Sequence, residues 1–139
     1  PGWALTADMI TGFPGETEAD QAAAVAFLEQ VGFAAVHVFP YSRRPGTKAD
    51  AMPEQLSHAV KSARAHEAQR VADACKQRYL VQQVGQTLPV LFETEHDGSW
   101  VGHSDNYCLV RAAGDDLRGL VKNVKISAVS GQMLVGDLV

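Results

Sequence analysis

The chain has 139 residues, 46% of them hydrophobic and 20% charged, with a formal charge of −4, a composition that suits a globular protein of one ordinary domain or two small ones. No run approaches the roughly 18 uncharged apolar residues of a membrane span, and Pro1-Gly2-Trp3 carries no basic leader of a secretory signal. The acidity gives no electrostatic pointer to nucleic acid: only residues 51–84, with five Lys/Arg against three Asp/Glu, are net basic.

Trp3 to Ile10 is mostly apolar, ends at a Gly/Pro cluster, and reads as a strand buried on both faces. A start inside such a strand suggests a piece of a longer protein. Thr11-Gly12-Phe13-Pro14-Gly15-Glu16 is a tight loop by composition. A helix is expected from Thr17, whose hydroxyl can cap the first turn with Asp20 answering as in a capping box. Ala24, Phe27, Leu28 and Val31 form its apolar stripe, and Gly32 is placed to end it left-handed. Phe33 to Phe39 is a second buried strand by pattern, with His37 inside it. Strand, helix and strand in about forty residues make a βαβ unit with parallel strands.

Pro40 to Ala51 is a loop. From Pro53, a favourable first helical residue, to about Val84 a long helix is expected. Its stripe is Leu56, Val60, Ala63, Val71, Cys75 and Tyr79, and Lys61, Arg64, Arg70, Lys76 and Arg78 fall on a solvated face. Past Gly85 come five short strand-like runs: 87–95, 100–103, 107–112, 120–129 and 133–139. Asp97-Gly98, Ser104-Asp105, Gly114-Asp115 and Ser130-Gly131 separate them. Five antiparallel strands of this length fit a small OB-like barrel that hides its edges by closing. Cys75 and Cys108 share no ligand spacing, so they read as packed, reduced thiols rather than a disulfide or zinc site.

Three stretches resemble one family. Asp8-Met9-Ile10-Thr11-Gly12-Phe13-Pro14-Gly15-Glu16-Thr17 is similar to the strand and loop near the end of the barrel in radical S-adenosylmethionine methylthiotransferases. His37-Val38-Phe39-Pro40-Tyr41-Ser42-Arg43-Arg44-Pro45-Gly46-Thr47 resembles the next strand end and loop. Gly102-His103-Ser104-Asp105-Asn106-Tyr107 resembles their TRAM segment. The fold implied is α/β plus all-β. Residues 1–51 would be the terminal βαβ portion of a TIM-type radical S-adenosylmethionine barrel, 52–84 a connecting helix, and 85–139 a five-stranded antiparallel TRAM barrel. An eight-stranded barrel needs roughly 250 residues, so the other strands would come from a missing N-terminal part.

The resemblance implies a cytoplasmic enzyme that adds a 2-methylthio group to a hypermodified adenosine beside the tRNA anticodon. The wording of residues 37–47 favours threonylcarbamoyladenosine over isopentenyladenosine. The intact Arg44-Pro45-Gly46-Thr47 argues against the branch acting on a ribosomal-protein aspartate. Family members carry S-adenosylmethionine and two 4Fe-4S clusters, which do the hard chemistry while the protein positions them. The cluster cysteines are not among these residues, so no catalytic residue and no metal ligand is assigned, and this chain alone is expected to bind no cluster and turn over no substrate.

By the resemblance, Ile10, Gly12, Pro14 and Gly15 would shape the contact to the adenosyl group, glycines letting backbone approach a flat nucleoside. Glu16 would start the helix, where its charge suits the dipole. Tyr41, Arg43 and Arg44 would face substrate, or Arg43 and Arg44 would simply form an exposed basic loop. In the small barrel Tyr107 would stack on bases, with Arg111, Lys122 and Lys125, and also Arg118, meeting phosphates of the anticodon stem-loop. Trp100 offers a second aromatic face, but a core position is the favoured reading for it and the opposing reading for Tyr107. Glu93, Glu95 and Asp97 would repel RNA, so any RNA surface should lie away from them. A different class of reading is a stand-alone RNA-binding module, against which half a sheet with an open edge counts.

Overall fold

The computed structural model describes residues 3–139; Pro1 and Gly2, used above to read the chain's start, lie outside the described residues. The fold is mixed α/β and divides into two compact units, one spanning Leu5–Lys76 and the other containing Gln77–Val139.

In the first unit β1 (Thr6–Thr11) pairs in parallel with β2 (Ala35–Pro40), in a register running from Thr6 opposite Ala35 to Thr11 opposite Pro40. Helix α1 (Glu18–Val31) connects them. It begins as the sequence dictates: the Asp20 amide donates to the Thr17 hydroxyl at 3.1 Å, and the Thr17 amide donates to Asp20 Oδ2 at 2.9 Å, the reciprocal satisfaction of a capping box. It ends at Gly32, at φ 69°. A short 3-10 turn at Ala49–Ala51 precedes α2 (His58–Gln83).

The core of this unit joins Leu28, Val36, Ala68, Val71, Ala72 and Cys75, with Ala7, Met9 and Val38 against them. Both helices therefore cover one face of the two-stranded sheet, and side chains of the other parity point away from it. This corrects the expectation of strands buried on both faces. His37, read as buried, is exposed, because it alternates with the covered Val36 and Val38 and sits opposite Asp8 on the uncovered face. Phe27 also leaves the predicted stripe and is 57% exposed. The inward face of α1 is centred on Gln21 and Leu28, seven residues and two turns apart.

Helix α2 starts five residues later than Pro53 suggested. Glu54 adopts φ 60°, outside the right-handed helical region, and its carbonyl accepts from the Gly15 amide at 3.1 Å. Ser57 then provides the cap, its hydroxyl accepting from the Val60 amide at 3.3 Å. The face α2 buries runs through Ala68, Val71, Ala72, Cys75, Tyr79 and Leu80, while Val60 is 39% exposed. The second half of the predicted stripe holds and the first does not.

In the second unit β3 (Thr87–His96), β4 (Ser99–Ser104), β5 (Leu109–Ala113), β6 (Val121–Ser130) and β7 (Met133–Leu138) close into a barrel in the order β3-β4-β5-β7-β6, compatible with a TRAM-type barrel. Phe92, Val90, Val110, Val124, Ile126, Leu134 and Trp100 fill its interior. The expectation of a wholly antiparallel barrel is corrected: β5 pairs with β7 in parallel, while the other four pairings are antiparallel. An odd ring of strands cannot alternate direction all the way round, so at least one pairing must be parallel. Bulges at 92–94 in β3 and 126–128 in β6 supply the bending that closure of so few strands requires. Asp97-Gly98 makes the β3–β4 turn with both φ positive, as two-residue hairpins prefer.

Candidate functional site

Because β1 and β2 run parallel, the loops that follow them emerge at the same edge of the sheet, the edge where α/β proteins place ligands. The first loop, residues 12–17, is joined to the second at its root: the Tyr41 amide donates to the Thr11 carbonyl at 2.8 Å. Phe13 and Tyr41 pack edge to face with centroids 5.3 Å apart, and Lys61 Nζ of α2 lies 5.5 Å from the Tyr41 ring centroid, within cation–π range. The Thr11 and Tyr41 hydroxyls are buried and without a hydrogen-bond partner.

The loop turns on two left-handed glycines, Gly12 at φ 72° and Gly15 at φ 81°. Gly12 is needed for a second reason. A Cβ there would collide with Lys61 Cγ and stand 3.1 Å from Lys61 Cα, so the empty side of Gly12 faces α2. Its amide donates to Glu16 Oε1 at 2.9 Å. The same oxygen receives Arg64 Nη1 at 2.7 Å, and that nitrogen also reaches the Glu16 carbonyl at 2.8 Å. The two side chains are only 11% (Arg64) and 15% (Glu16) exposed. Glu16, expected to start the helix, instead lies in the loop before the Thr17 cap, and Arg64, placed by sequence on a solvated face, is turned inward. Their pairing spans 48 residues and left no local signal.

Of the residues expected at the adenosyl contact, Ile10 is 58% exposed on the uncovered sheet face, beside its cross-strand partner Phe39, which is 52% exposed. Gly12 and Pro14 are buried and Gly15 is exposed. Of the expected substrate contacts, Tyr41 is half-buried. Arg43 is held within its own loop, Nε to Asp50 Oδ1 at 2.7 Å and Nη2 to the Asp50 carbonyl at 2.9 Å. The Arg44 carbonyl accepts from the Thr47 hydroxyl at 2.8 Å, while its side chain is exposed.

In the barrel unit Tyr107 is 83% exposed and sits in the turn after β4 rather than in a strand, at φ 61°. The residues around it are anchored. Ser104 Oγ donates to Asn106 Oδ1 at 2.5 Å and accepts from the Cys108 amide at 3.0 Å, and Asn106 Nδ2 reaches Tyr79 Oη at 3.1 Å and Gln83 Oε1 at 3.0 Å. Burial raises the Tyr79 phenol above its usual value, with Cys108 and Asp105 adding in the same direction and the Asn106 hydrogen bond opposing them. Tyr107 shares a shallow concavity with Pro89, Leu91, Glu93, His103 and Val121, and Glu93 is tied to His103 at 2.6 Å. The aromatic and one of the acids expected to lie apart therefore share a surface. Arg111 lies on β5 and Lys122 and Lys125 on β6, strands that β7 separates, so pairing does not gather them. Lys125 Nζ donates to the Gly85 carbonyl at 2.6 Å. Arg118 shares a second concavity with Glu95, Asp115 and Asp116. Trp100 is core, as its pattern indicated.

Both cysteines are buried, and among the described residues no three His, Cys, Asp or Glu side chains group as a metal site. Among them, too, no helix is long and apolar enough to cross a membrane.

No family model matches the chain. Curated relatives match nearly all of it. The threonylcarbamoyladenosine tRNA methylthiotransferase MtaB of Bacillus subtilis (strain 168) is 38% identical over 132 residues, 91% of this chain and 29% of the relative. The tRNA-2-methylthio-N(6)-dimethylallyladenosine synthase of Maricaulis maris (strain MCS10) is 40% identical over 99% of the chain and 31% of the relative. Its namesake in Campylobacter jejuni subsp. jejuni serotype O:23/36 (strain 81-176) is 36% identical over 100% and 33%. The chain thus spans about a third of the length of these relatives.

Proposed function

The chain is a homologue of the tRNA methylthiotransferases, which are radical S-adenosylmethionine enzymes, along nearly its whole length, and from that premise we propose that it forms the closing βαβ arc of such an enzyme's barrel, followed by α2 and an RNA-binding TRAM barrel. The observation that carries this reading is the one-sided sheet. Two parallel strands are covered by helices on one face, and the other presents Asp8, Ile10, His37 and Phe39 uncovered. That is how a short arc of an α/β barrel looks when its lumen side is in view.

S-adenosylmethionine fits this face at the strand ends. Ile10 and Phe39, adjacent and half exposed, offer an apolar surface to a flat base, and the loop that follows β1 starts two residues beyond Ile10. When bound, that group supplies the methyl group and the radical chemistry of the family. Here Ile10 would provide contact, Gly12 packs the loop against Lys61 of α2 with Pro14 buried in the same loop, and Tyr41 and Arg44 would border the mouth on the substrate side. The residues of this chain do not fit an iron–sulfur cluster, since Cys75 and Cys108 are buried in separate units; cluster ligands belong to the two thirds of such enzymes outside the matched region. The substrate is a hypermodified adenosine next to the anticodon in cytoplasmic tRNA, and residues 37–47 favour threonylcarbamoyladenosine. Relatives of both substrate names lie at similar identity, so identity does not decide between them.

Nucleoside mass spectrometry of tRNA from a strain lacking the parent gene tests the reading. The expected result is loss of the 2-methylthio group from threonylcarbamoyladenosine with the isopentenyl nucleoside intact. Loss from the isopentenyl nucleoside alone transfers the assignment to that branch. No loss from either removes the enzyme reading and leaves a stand-alone RNA-binding module.

A further inference from the structure

We infer that Arg64 is a positioning residue for the loop Gly12–Glu16, holding its backbone through the Glu16 carboxylate, so that α2 is a working wall of the site and not a spacer. The inference rests on the reading of that loop as the adenosyl contact. Two of the loop's five residues are glycines held at left-handed φ, the residue type that loses most freedom when one conformation is fixed, and the Gly12 amide has Glu16 Oε1 as its acceptor. A carboxylate this far from water is costly without a counter-charge. Arg64 supplies it at 2.7 Å, and its second bond to the Glu16 carbonyl fixes that residue's backbone as well.

The backbone of α2 at Arg64 is tied to α1. Gln21, buried on α1, donates from Nε2 to the Arg64 carbonyl at 3.1 Å and to Glu67 Oε2 at 3.0 Å. One turn earlier on α2, Lys61 fills the space over Gly12 and reaches the Tyr41 ring. Two cations three residues apart share one helix face and point at the two loops. Without Arg64 the Glu16 carboxylate must turn to water for solvation, and the Gly12 amide loses its acceptor.

The test uses the full-length protein with Arg64→Met, Arg64→Lys, the double variant Glu16→Gln with Arg64→Met, and Arg70→Met as a control on the exposed side of the same helix. Three quantities are read: hydrogen exchange at the Gly12 amide, the dissociation constant of S-adenosylmethionine, and kcat. Loss of a charge-assisted hydrogen bond predicts about tenfold faster Gly12 exchange and about tenfold weaker binding for Arg64→Met. Exchange across Ala68–Cys75, and kcat at saturating cofactor, should stay within about twofold of wild type. Arg64→Lys recovers part of the loss and Arg70→Met changes none of the three. The double variant keeps an acceptor for Gly12 and removes the buried charge, so it restores slow Gly12 exchange even if Arg64→Met folds poorly. Unchanged Gly12 exchange in a folded Arg64→Met protein overturns the inference, as does a uniform rise across the whole unit. If wild type binds no S-adenosylmethionine, the adenosyl reading of the loop fails, and the exchange measurements still decide the clamp.

Discussion

Gly12 and Gly32 provide a matched pair for separating backbone strain from packing. Their φ values, 72° and 69°, are nearly the same, so alanine meets the same left-handed penalty at each, about 1–2 kcal/mol. Alanine also restricts the unfolded chain equally in both cases, a stabilising offset of about 0.4–1 kcal/mol that cancels between them. The surroundings differ completely. A Cβ at Gly32 meets nothing within 4 Å, whereas one at Gly12 collides with the Lys61 side chain and comes to 3.1 Å from its backbone Cα. Lys61 Cγ could swing aside, but a helical Cα cannot, and forced insertion of a methyl into packed structure costs about 1–3 kcal/mol. Gly12→Ala should therefore destabilise the first unit by about 1–3 kcal/mol more than Gly32→Ala. Since a chain of two units need not unfold in one step, the assay is native-state hydrogen exchange against urea, read at amides of β1 and α1. Equal losses, within about 0.5 kcal/mol, would show that α2 does not pack on the loop as described.

Three further outcomes follow from the geometry. The Thr17 amide and hydroxyl hold the Asp20 carboxyl below its usual value; a depressed pKa gives stability that is present above the ordinary carboxylate value and lost as pH falls through the folded one. Helical circular dichroism from pH 6 to 2 should show an acid loss in α1 that Asp20→Asn lacks, and identical profiles would contradict the capping box. The Tyr79 phenol is raised chiefly by burial, so its contribution is whole below the ordinary tyrosine value and declines as pH climbs through the folded one. Barrel stability followed by Trp100 fluorescence should therefore fall from pH 8 to 11 in wild type and fall less in Tyr79→Phe; equal falls would mean another group governs the alkaline limb. Tyr107, 83% exposed, should weaken binding of an anticodon stem-loop about tenfold or more on change to alanine, as expected for one stacked base, with the barrel's urea midpoint unmoved; unchanged affinity would take Tyr107 out of any RNA surface.

What the sequence made legible was whatever a few neighbouring residues decide. Thr17 and Asp20 are three apart and settle where α1 begins; Gly32 settles where it ends. Asp97-Gly98 and Ser130-Gly131 mark two of the barrel's turns because their backbone preferences act within two residues. The interior of the barrel was partly readable for the same reason, since alternation along β3, β4 and β5 is a period of two. Strand direction across the closure was not, because the β5–β7 pairing follows from counting strands around a ring. His37 went wrong at the same boundary. An apolar run does not say which segment covers each face: the described residues cover one, and the other is the lumen side of the proposed barrel.

The charges on α2 carry the same lesson into the site. Lys61, Arg64, Arg70, Lys76 and Arg78 form one basic helix when read along the chain, and no property of the helix distinguishes Arg64 from Arg70. What distinguishes them is a carboxylate 48 residues away, at the end of a loop whose glycines leave room for α2 to come close. The inward face of the helix is Lys61, Arg64, Ala68, Val71, Cys75, a regular stripe whose first two members are charged, so an apolar pattern search slides off it and settles on Val60 and Ala63 instead. A helix in this position can present cations to a packed loop only where the partner acid and the missing Cβ are already in place. Glu16, Gly12 and Arg64 therefore act as one unit, and substitutions among them should be non-additive.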